Sequence, residues 1–475
     1  MFAQIEPALV IARREVRDQL RDWRIILPVM ALTVFFPFLM NFTAQQMLYF
    51  VNQYGASLIG QRLVPFLMMI VGFFPISVSL VIALETFVGE KERGSIEPLL
   101  NTPLKDWQLY LGKLLSATVP PLFASFLGMV VYLCGLLIEH VPLPEPAVML
   151  LIFVLTITQA VVMVSGAVVV STQATSIRSA NLLASFIIIP IALLIQGESV
   201  VMFWGTYQTL WWGVLGLLVL AFLLVRVGLA HFQREELLGR EIDVLNVAWG
   251  WSVFKRRFIG GRRSVGEWFR HELPRTIASL RLPLLLTTAL ALISVLVGVQ
   301  EFTVIKFPLE HTSFARIDQG LQSLIQVWPV FSMGPVIGIW WQNLRVLLLA
   351  LVLGSFSFGI FGVIPMFASM GITGYFMALL GAHGISSTQY LIGFILPHGI
   401  FEIPAVLISV AAVLKAGAVL ATPDTRHTVG EVWILALADW SKVMVGIVIP
   451  LLFIAACVEA WATPRLALWL IPLLK

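Results

Sequence analysis

Six apolar stretches, each close to the length needed to cross a bilayer, fill the first half of this 475-residue chain: 25–40, 64–84, 111–138, 147–171, 181–196 and 209–229. A spanning helix needs about 20 mostly apolar residues and satisfies its own backbone hydrogen bonds, which lipid cannot do for it. The repetition fixes the fold class as an all-α polytopic membrane protein. Composition agrees, with 59% hydrophobic and only 12% charged residues. So little polar surface cannot cover a water-soluble globule of this size, which excludes a soluble enzyme. A net charge of +4 argues against a nucleic-acid partner. Cys134 and Cys457 each sit alone inside an apolar run, so no disulfide or zinc framework is expected.

The connections alternate in charge. Residues 13–24 hold five arginines, whereas 41–62 hold only Arg62. The 85–113 stretch carries Lys91, Arg93, Lys105 and Lys113; 139–146 has no Lys or Arg, 172–180 has Arg178, and 197–208 has none. Cytoplasmic loops retain Lys and Arg because translocating them is unfavourable, so this alternation predicts a cytoplasmic N-terminus without a cleaved signal. From Lys255 to Arg281 lie eight basic residues against Glu267 and Glu272, interleaved with Trp249, Trp251, Phe254, Phe258, Trp268 and Phe269. This predicts a basic cytoplasmic or interfacial linker over 241–280, resting on anionic headgroups or, less simply, receiving a cytoplasmic partner.

The second half, 281–475, is apolar again, with clear runs at 283–299, 344–364, 389–413 and 443–462. A short glycine-rich piece, 371–384, reads either as a tight span or as a re-entrant segment. Counting it gives about eleven crossings, six plus five. It also places Lys415, Arg426 and Lys442 inside and the C-terminus outside. The 300–343 stretch, with Trp328, Trp340 and Trp341, reads as an outer-leaflet interfacial segment.

Two segments carry patterns that mere connectors do not need. Ile5 to Trp23 places Leu9, Ala12, Val16, Leu20 and Trp23 on one helical face and Arg and Asp opposite, as expected of a helix lying along the interface. Directly after the second span comes Gly89-Glu90-Lys91-Glu92-Arg93-Gly94-Ser95-Ile96-Glu97-Pro98-Leu99-Leu100-Asn101-Thr102-Pro103-Leu104. The bland reading is a helix, a Pro98 break and a cap. The mixed charges and helically spaced leucines instead suit a short amphipathic helix that grips another protein. Gly112-Lys113 is not a phosphate loop: Trp107 occupies the upstream glycine position and Leu114 follows, so no nucleotide site is expected in this chain.

GEKERGSIEPLLNTPL, followed by LYLGKLL, resembles the first cytoplasmic loop of ABC-2 type permeases, and ALVIARREVRDQLRDWR is similar to their N-terminal elbow helix. The resemblance covers about 1–240. It implies a permease, not itself an enzyme, with a coupling helix seated on a separate ATP-binding subunit. Contacts would be made by Glu90, Lys91, Glu92, Arg93, Glu97 and Leu99, within a motif that also includes Gly89, Gly94, Pro98, Thr102 and Pro103. ATP and magnesium would then belong to two copies of that partner, and the permease itself would be a homodimer in a prokaryotic cell membrane. The short outer segments 41–62 and 197–208 leave no room for a large outer domain.

In the second half, Pro397-His398-Gly399-Ile400-Phe401-Glu402-Ile403-Pro404 places two ionisable groups four apart at membrane depth. Such groups are costly there and rarely incidental. The pair could satisfy itself, relay a proton or bind metal. No HExxH occurs and two ligands are too few for a zinc protease site, so no metal site is assigned. Asn343, Arg345 and Glu459 are candidate partners. PHGIFEIPA and the Asn343-Leu344-Arg345 helix start, followed by Gly354, Gly359 and Gly362, resemble the stage II sporulation protein M family over about 280–475. Founding members of that family work with peptidoglycan hydrolases. Three functions follow, in order: an ABC exporter permease for a lipid-like, peptide or ionic substrate; an ATPase-coupled scaffold acting on cell-wall enzymes; and a proton or ion channel at His398 and Glu402.

Overall fold

The structure is a computed structural model. It describes residues 2–54, 57–94, 102–174, 176–204, 207–232, 247–262, 264–303, 329–355, 357–382, 386–420, 422 and 429–470, with 323 and 326. The chain divides into two units, Met1–Val244 and Leu245–Lys475.

In the first unit, α1 (Phe2–Gln19) precedes six long helices: α2 (Trp23–Tyr54), α3 (Ser57–Glu92), α4 (Asp106–Ile138), α5 (Pro146–Gln173), α6 (Ile177–Trp204) and α7 (Leu210–His231). In the second, α8 (Val247–Ile259) is followed by α9, which runs through Val265–Glu267, a π stretch Trp268–Glu272 and Leu273–Ala278. Then come α10 (Arg281–Glu301), α11 (Met333–Ser355) and α12 (Ile364–Ala382). The helix α13 joins Ser387–Tyr390, a π stretch Leu391–Ile395 and Leu396–Leu420. Next, α14 joins Val429–Val443, a π stretch Met444–Val448 and Ile449–Trp461. The short α15 (Thr463–Leu470) follows.

Among the described residues, ten helical stretches are long and apolar enough to cross a membrane, five in each unit. The sixth span expected in the first half, 181–196, falls in α6, whose described apolar stretch is the shorter Ile191–Phe203. Hydroxyls inside the spans return to a carbonyl one turn back, as Thr156 does to Ile152 at 2.8 Å and Thr118 to Leu114 at 2.7 Å. Each such bond removes an unsatisfied polar group from an apolar setting.

Several sequence boundaries are corrected. The run 344–364 is not one span: α11 starts at Met333 and stops at Ser355, and a tight turn follows with Phe358 at φ 49° and Gly359 at φ 88°. Gly359 needs that backbone and also has no room for a side chain, because a Cβ would lie 2.9 Å from Leu414 Cα. Trp340 and Trp341 therefore belong to a spanning stretch, not to an interfacial segment. The described part of the piece 371–384, residues 371–382, lies within a stretch of spanning length, Phe361–Ala382, and 383 and 384 lie outside the described residues. Its glycines have a packing reason: a methyl on Gly374 would overlap the Val295 carbonyl, and one on Gly298 the Gly371 carbonyl. Without an aqueous driving force between helices, such close backbone approach is what holds α10 to α12.

The stretch expected to lie as a linker on headgroups is folded onto the second unit. Arg257 on α8 donates to Asp439 on α14 at 2.9 and 2.7 Å, and Trp268 Nε1 donates to the Phe258 carbonyl at 2.7 Å. The interleaved aromatics stack in sequence, Trp251 on Phe254 at 5.5 Å and Phe254 on Phe258 at 5.8 Å between ring centres. Lys255 and Arg256 stay exposed.

Candidate functional site

The charged segment after the second apolar run does not begin as a free-standing helix. Gly89, Glu90, Lys91 and Glu92 form the last turn of α3, and Arg93 and Gly94 follow, with Gly94 at φ 67° ending the helix in the left-handed conformation. Thr102 and Pro103 lead into α4. Glu97, Pro98 and Leu99 lie outside the described residues.

This turn is tied into the unit by its charges. Lys113 on α4 is only 1% exposed, and its ammonium sits 2.5 Å from Glu90 Oε1 and 3.1 Å from Glu15 Oε1 on α1. A lysine buried this deeply is tolerable because two carboxylates replace its hydration. Lys91 donates to the carbonyls of Thr172 and Ala174 at 3.0 and 3.2 Å, placing a cation on the negative C-terminal end of α5. Glu92 accepts from the Ile177 amide at 2.7 Å, placing an anion on the positive N-terminus of α6. Arg93 is exposed and lies 3.9 Å from Glu85, an ion pair that contributes little. Glu90, Lys91 and Glu92 thus turn to neighbouring helices, whereas Arg93 reaches back to Glu85 on α3.

The helix α1 is held by shape as well as by charge. Ala8 and Ala12 are buried, and a Cβ on Gly112 would lie 2.9 Å from both the Ala8 carbonyl and Ile11 Cβ. Its protein-facing strip is therefore Ala8, Ala12 and Glu15. Leu9, Leu20 and Trp23 are exposed. Sequence reasoning used Lys113 only as one of the basic residues of the 85–113 stretch and to reject a phosphate loop. The missed signal was a lysine flanked by apolar residues, with carboxylates available upstream.

In the second unit, His398 and Glu402 share a face of α13 and their nearest N and O atoms are 3.9 Å apart. Glu459, near the end of α14, joins them, with one ligand atom from each residue within 4.8 Å of the others. Arg345 does not join: it is exposed and hydrogen bonds to Gln342 on its own helix. Asn343 is half-buried, with its amide nitrogen unpartnered. Toward the opposite ends of α13 and α14 is an ion network. Asp439 lies 3.7 Å from Lys415 and 3.3 Å from the buried Lys442, and Lys442 lies 3.7 Å from Glu272 on α9. Hydrogen bonding to Asp439 raises the pKa of Arg257 above the ordinary arginine value. Arg426, expected on the same side, lies outside the described residues.

Sequence reasoning also passed over Glu198. The 197–208 stretch reads as an outer connection, but α6 runs on to Trp204 and buries Glu198, which accepts from Gln159 Nε2 at 2.6 Å. Arg62, the one Lys or Arg of the 41–62 stretch, donates to the Met202 carbonyl at 3.0 Å and lies over the Tyr207 ring at 4.5 Å.

Comparison with known families agrees with this division. Residues 9–210 match the family model described as ABC-2 family transporter protein, and residues 285–464 match that of Stage II sporulation protein M. The chain joins a segment similar to each family. No match is found among curated proteins or among solved structures. The ABC-2 match spans α2 to α6 and contains the tethered turn at Glu90–Glu92. The second match contains α11 to α14 and the cluster of His398, Glu402 and Glu459.

Proposed function

We propose that this protein is the membrane permease of an ABC exporter, driven by a separate ATP-binding subunit that docks on the loop from Gly89 to Pro103. One observation carries the reading: inside the segment similar to ABC-2 transporters, the turn that opens this loop is fastened to four other elements at once. Glu90 reaches α1 through Lys113 on α4, Lys91 holds the end of α5, and Glu92 holds the start of α6. A displacement of the loop is therefore shared by α1, α4, α5 and α6, which a flexible connector would not achieve. Two permease chains with two ATPase chains make the symmetric unit, in a prokaryotic plasma membrane with the N-terminus cytoplasmic. ATP and magnesium are held by the partner.

The test is reconstitution of the full chain in lipid with an ABC ATPase encoded beside it. Stimulated hydrolysis and a stable complex are expected, with Arg93→Glu weakening the complex at least tenfold. A chain that neither binds nor stimulates that ATPase overturns the reading. The match to Stage II sporulation protein M favours a second reading, in which the same ATPase cycle moves a scaffold for cell-wall hydrolases. Recovery of a hydrolase by pull-down from the outer side, without ATP-dependent substrate movement, supports that reading over export.

A further inference from the structure

His398, Glu402 and Glu459 are drawn together from two helices, and their mutual orientation sets a specific requirement. The Thr463 hydroxyl lies 3.3 Å from the Val458 carbonyl and 3.3 Å from His398 Nδ1. A hydroxyl has one proton, and when it goes to the Val458 carbonyl the Thr463 oxygen is free to accept from His398 Nδ1–H. That tautomer leaves the Nε2 lone pair directed at Glu402 Oε2, 3.9 Å away. Glu459 brings a second carboxylate to the same point. Three lone-pair donors thus face one small space in an apolar setting, an arrangement that a cation placed between them satisfies.

We infer that His398, Glu402 and Glu459 form a binding site for a divalent transition-metal ion of the zinc class, bridging α13 and α14. A tetrahedral zinc ion with ligands at about 2.0–2.2 Å places its donor atoms about 3.4 Å apart. The observed spread, within 4.8 Å, requires the donors to draw in by about 1.4 Å at most. One imidazole with two carboxylates suits zinc or manganese, whereas calcium and magnesium take oxygen ligands. Thr463 completes the arrangement as a positioning residue, holding the second imidazole nitrogen as metal-bound histidines require. The ion also offsets the repulsion between two carboxylates brought this close.

The experiment uses the full-length protein in lipid nanodiscs, purified on a tag without histidine, stripped with chelator and titrated by calorimetry with zinc chloride and, separately, manganese chloride. One ion per chain is expected, with a rise in the thermal unfolding temperature on zinc addition. Glu459→Gln preserves shape and is expected to weaken binding at least 100-fold and abolish the thermal shift, and Thr463→Val to weaken it about tenfold. His398→Gln reports the third ligand, with helical content by circular dichroism confirming that each variant folds. The absence of a one-to-one site overturns the inference. So does binding that Glu459→Gln and His398→Gln leave unchanged.

Discussion

Replacing Lys113 with methionine tests whether the charged turn of α3 is fastened to α1. Methionine keeps most of the buried volume, so little cavity forms and the perturbation is the loss of one ammonium. Two carboxylates then lose their partner, Glu90 at 2.5 Å and Glu15 at 3.1 Å. Removing one partner of a fully buried pair costs about 3–5 kcal/mol. The lysine is 1% exposed, but the surviving acids are 21% and 26% exposed and regain some hydration. The expected cost is therefore about 2–3 kcal/mol, a factor of roughly 30–150 in the unfolding equilibrium. Denaturant unfolding in micelles measures it, with the cycle of Lys113→Met and Glu90→Gln giving a coupling of about 1–3 kcal/mol. A triple variant that also converts Glu15 and Glu90 to leucine should recover most of the stability, since an apolar replacement of a buried ion cluster is often neutral. It should nevertheless fail to transmit ATPase stimulation. Wild-type stability in Lys113→Met, within about 0.5 kcal/mol, would falsify the tether, as would full stimulation in the triple variant.

Three further outcomes follow from packing and charge. Gly112→Leu drives a side chain into the Ala8 carbonyl and Ile11, lifting α1 from α4 at a cost of about 1–3 kcal/mol; limited proteolysis near residues 20–24 should accelerate. Gly374→Val forces α12 away from α10, since even a methyl there would overlap the Val295 carbonyl. Cysteines at 294 and 371 should then cross-link more slowly than in the Gly374 background. Arg257→Lys exchanges a two-point hydrogen bond to Asp439 for a point charge and should cost about 1–2 kcal/mol, read as earlier thermal unfolding. Because Asp439 holds the Arg257 pKa above its already high ordinary value, the wild-type contact should persist on raising the pH to about 11, whereas a lysine, with an ordinary pKa of about 10.4, begins to discharge, so the difference between wild type and this variant should widen.

The helical class was legible because lipid permits few solutions: an apolar run of bilayer length must satisfy its backbone internally. The pairing of His398 with Glu402 was legible for a similar reason, since a spacing of four fixes one helical face. The polar partner Glu459 was only nameable, because 57 residues separate it from Glu402 and no periodicity links two different helices. Arg345, named on the same grounds, went elsewhere. In the basic stretch 255–281 the partner of Arg257 was not legible, because the acid that meets it, Asp439, lies far along the chain.

By itself, then, the sequence determined the helices, their alternating sidedness as an expectation, and the segments in which ionisable residues had to have a purpose. Those are local properties, fixed by the solvent around each stretch of backbone. The tertiary structure decided which charges meet. It buried Lys113 between Glu15 and Glu90, turned Lys91 and Glu92 onto the ends of α5 and α6, and folded Arg257 onto Asp439. Where water is scarce an ion must find its counter-ion within the protein, and that choice depends on the distances between helices, which no local pattern encodes.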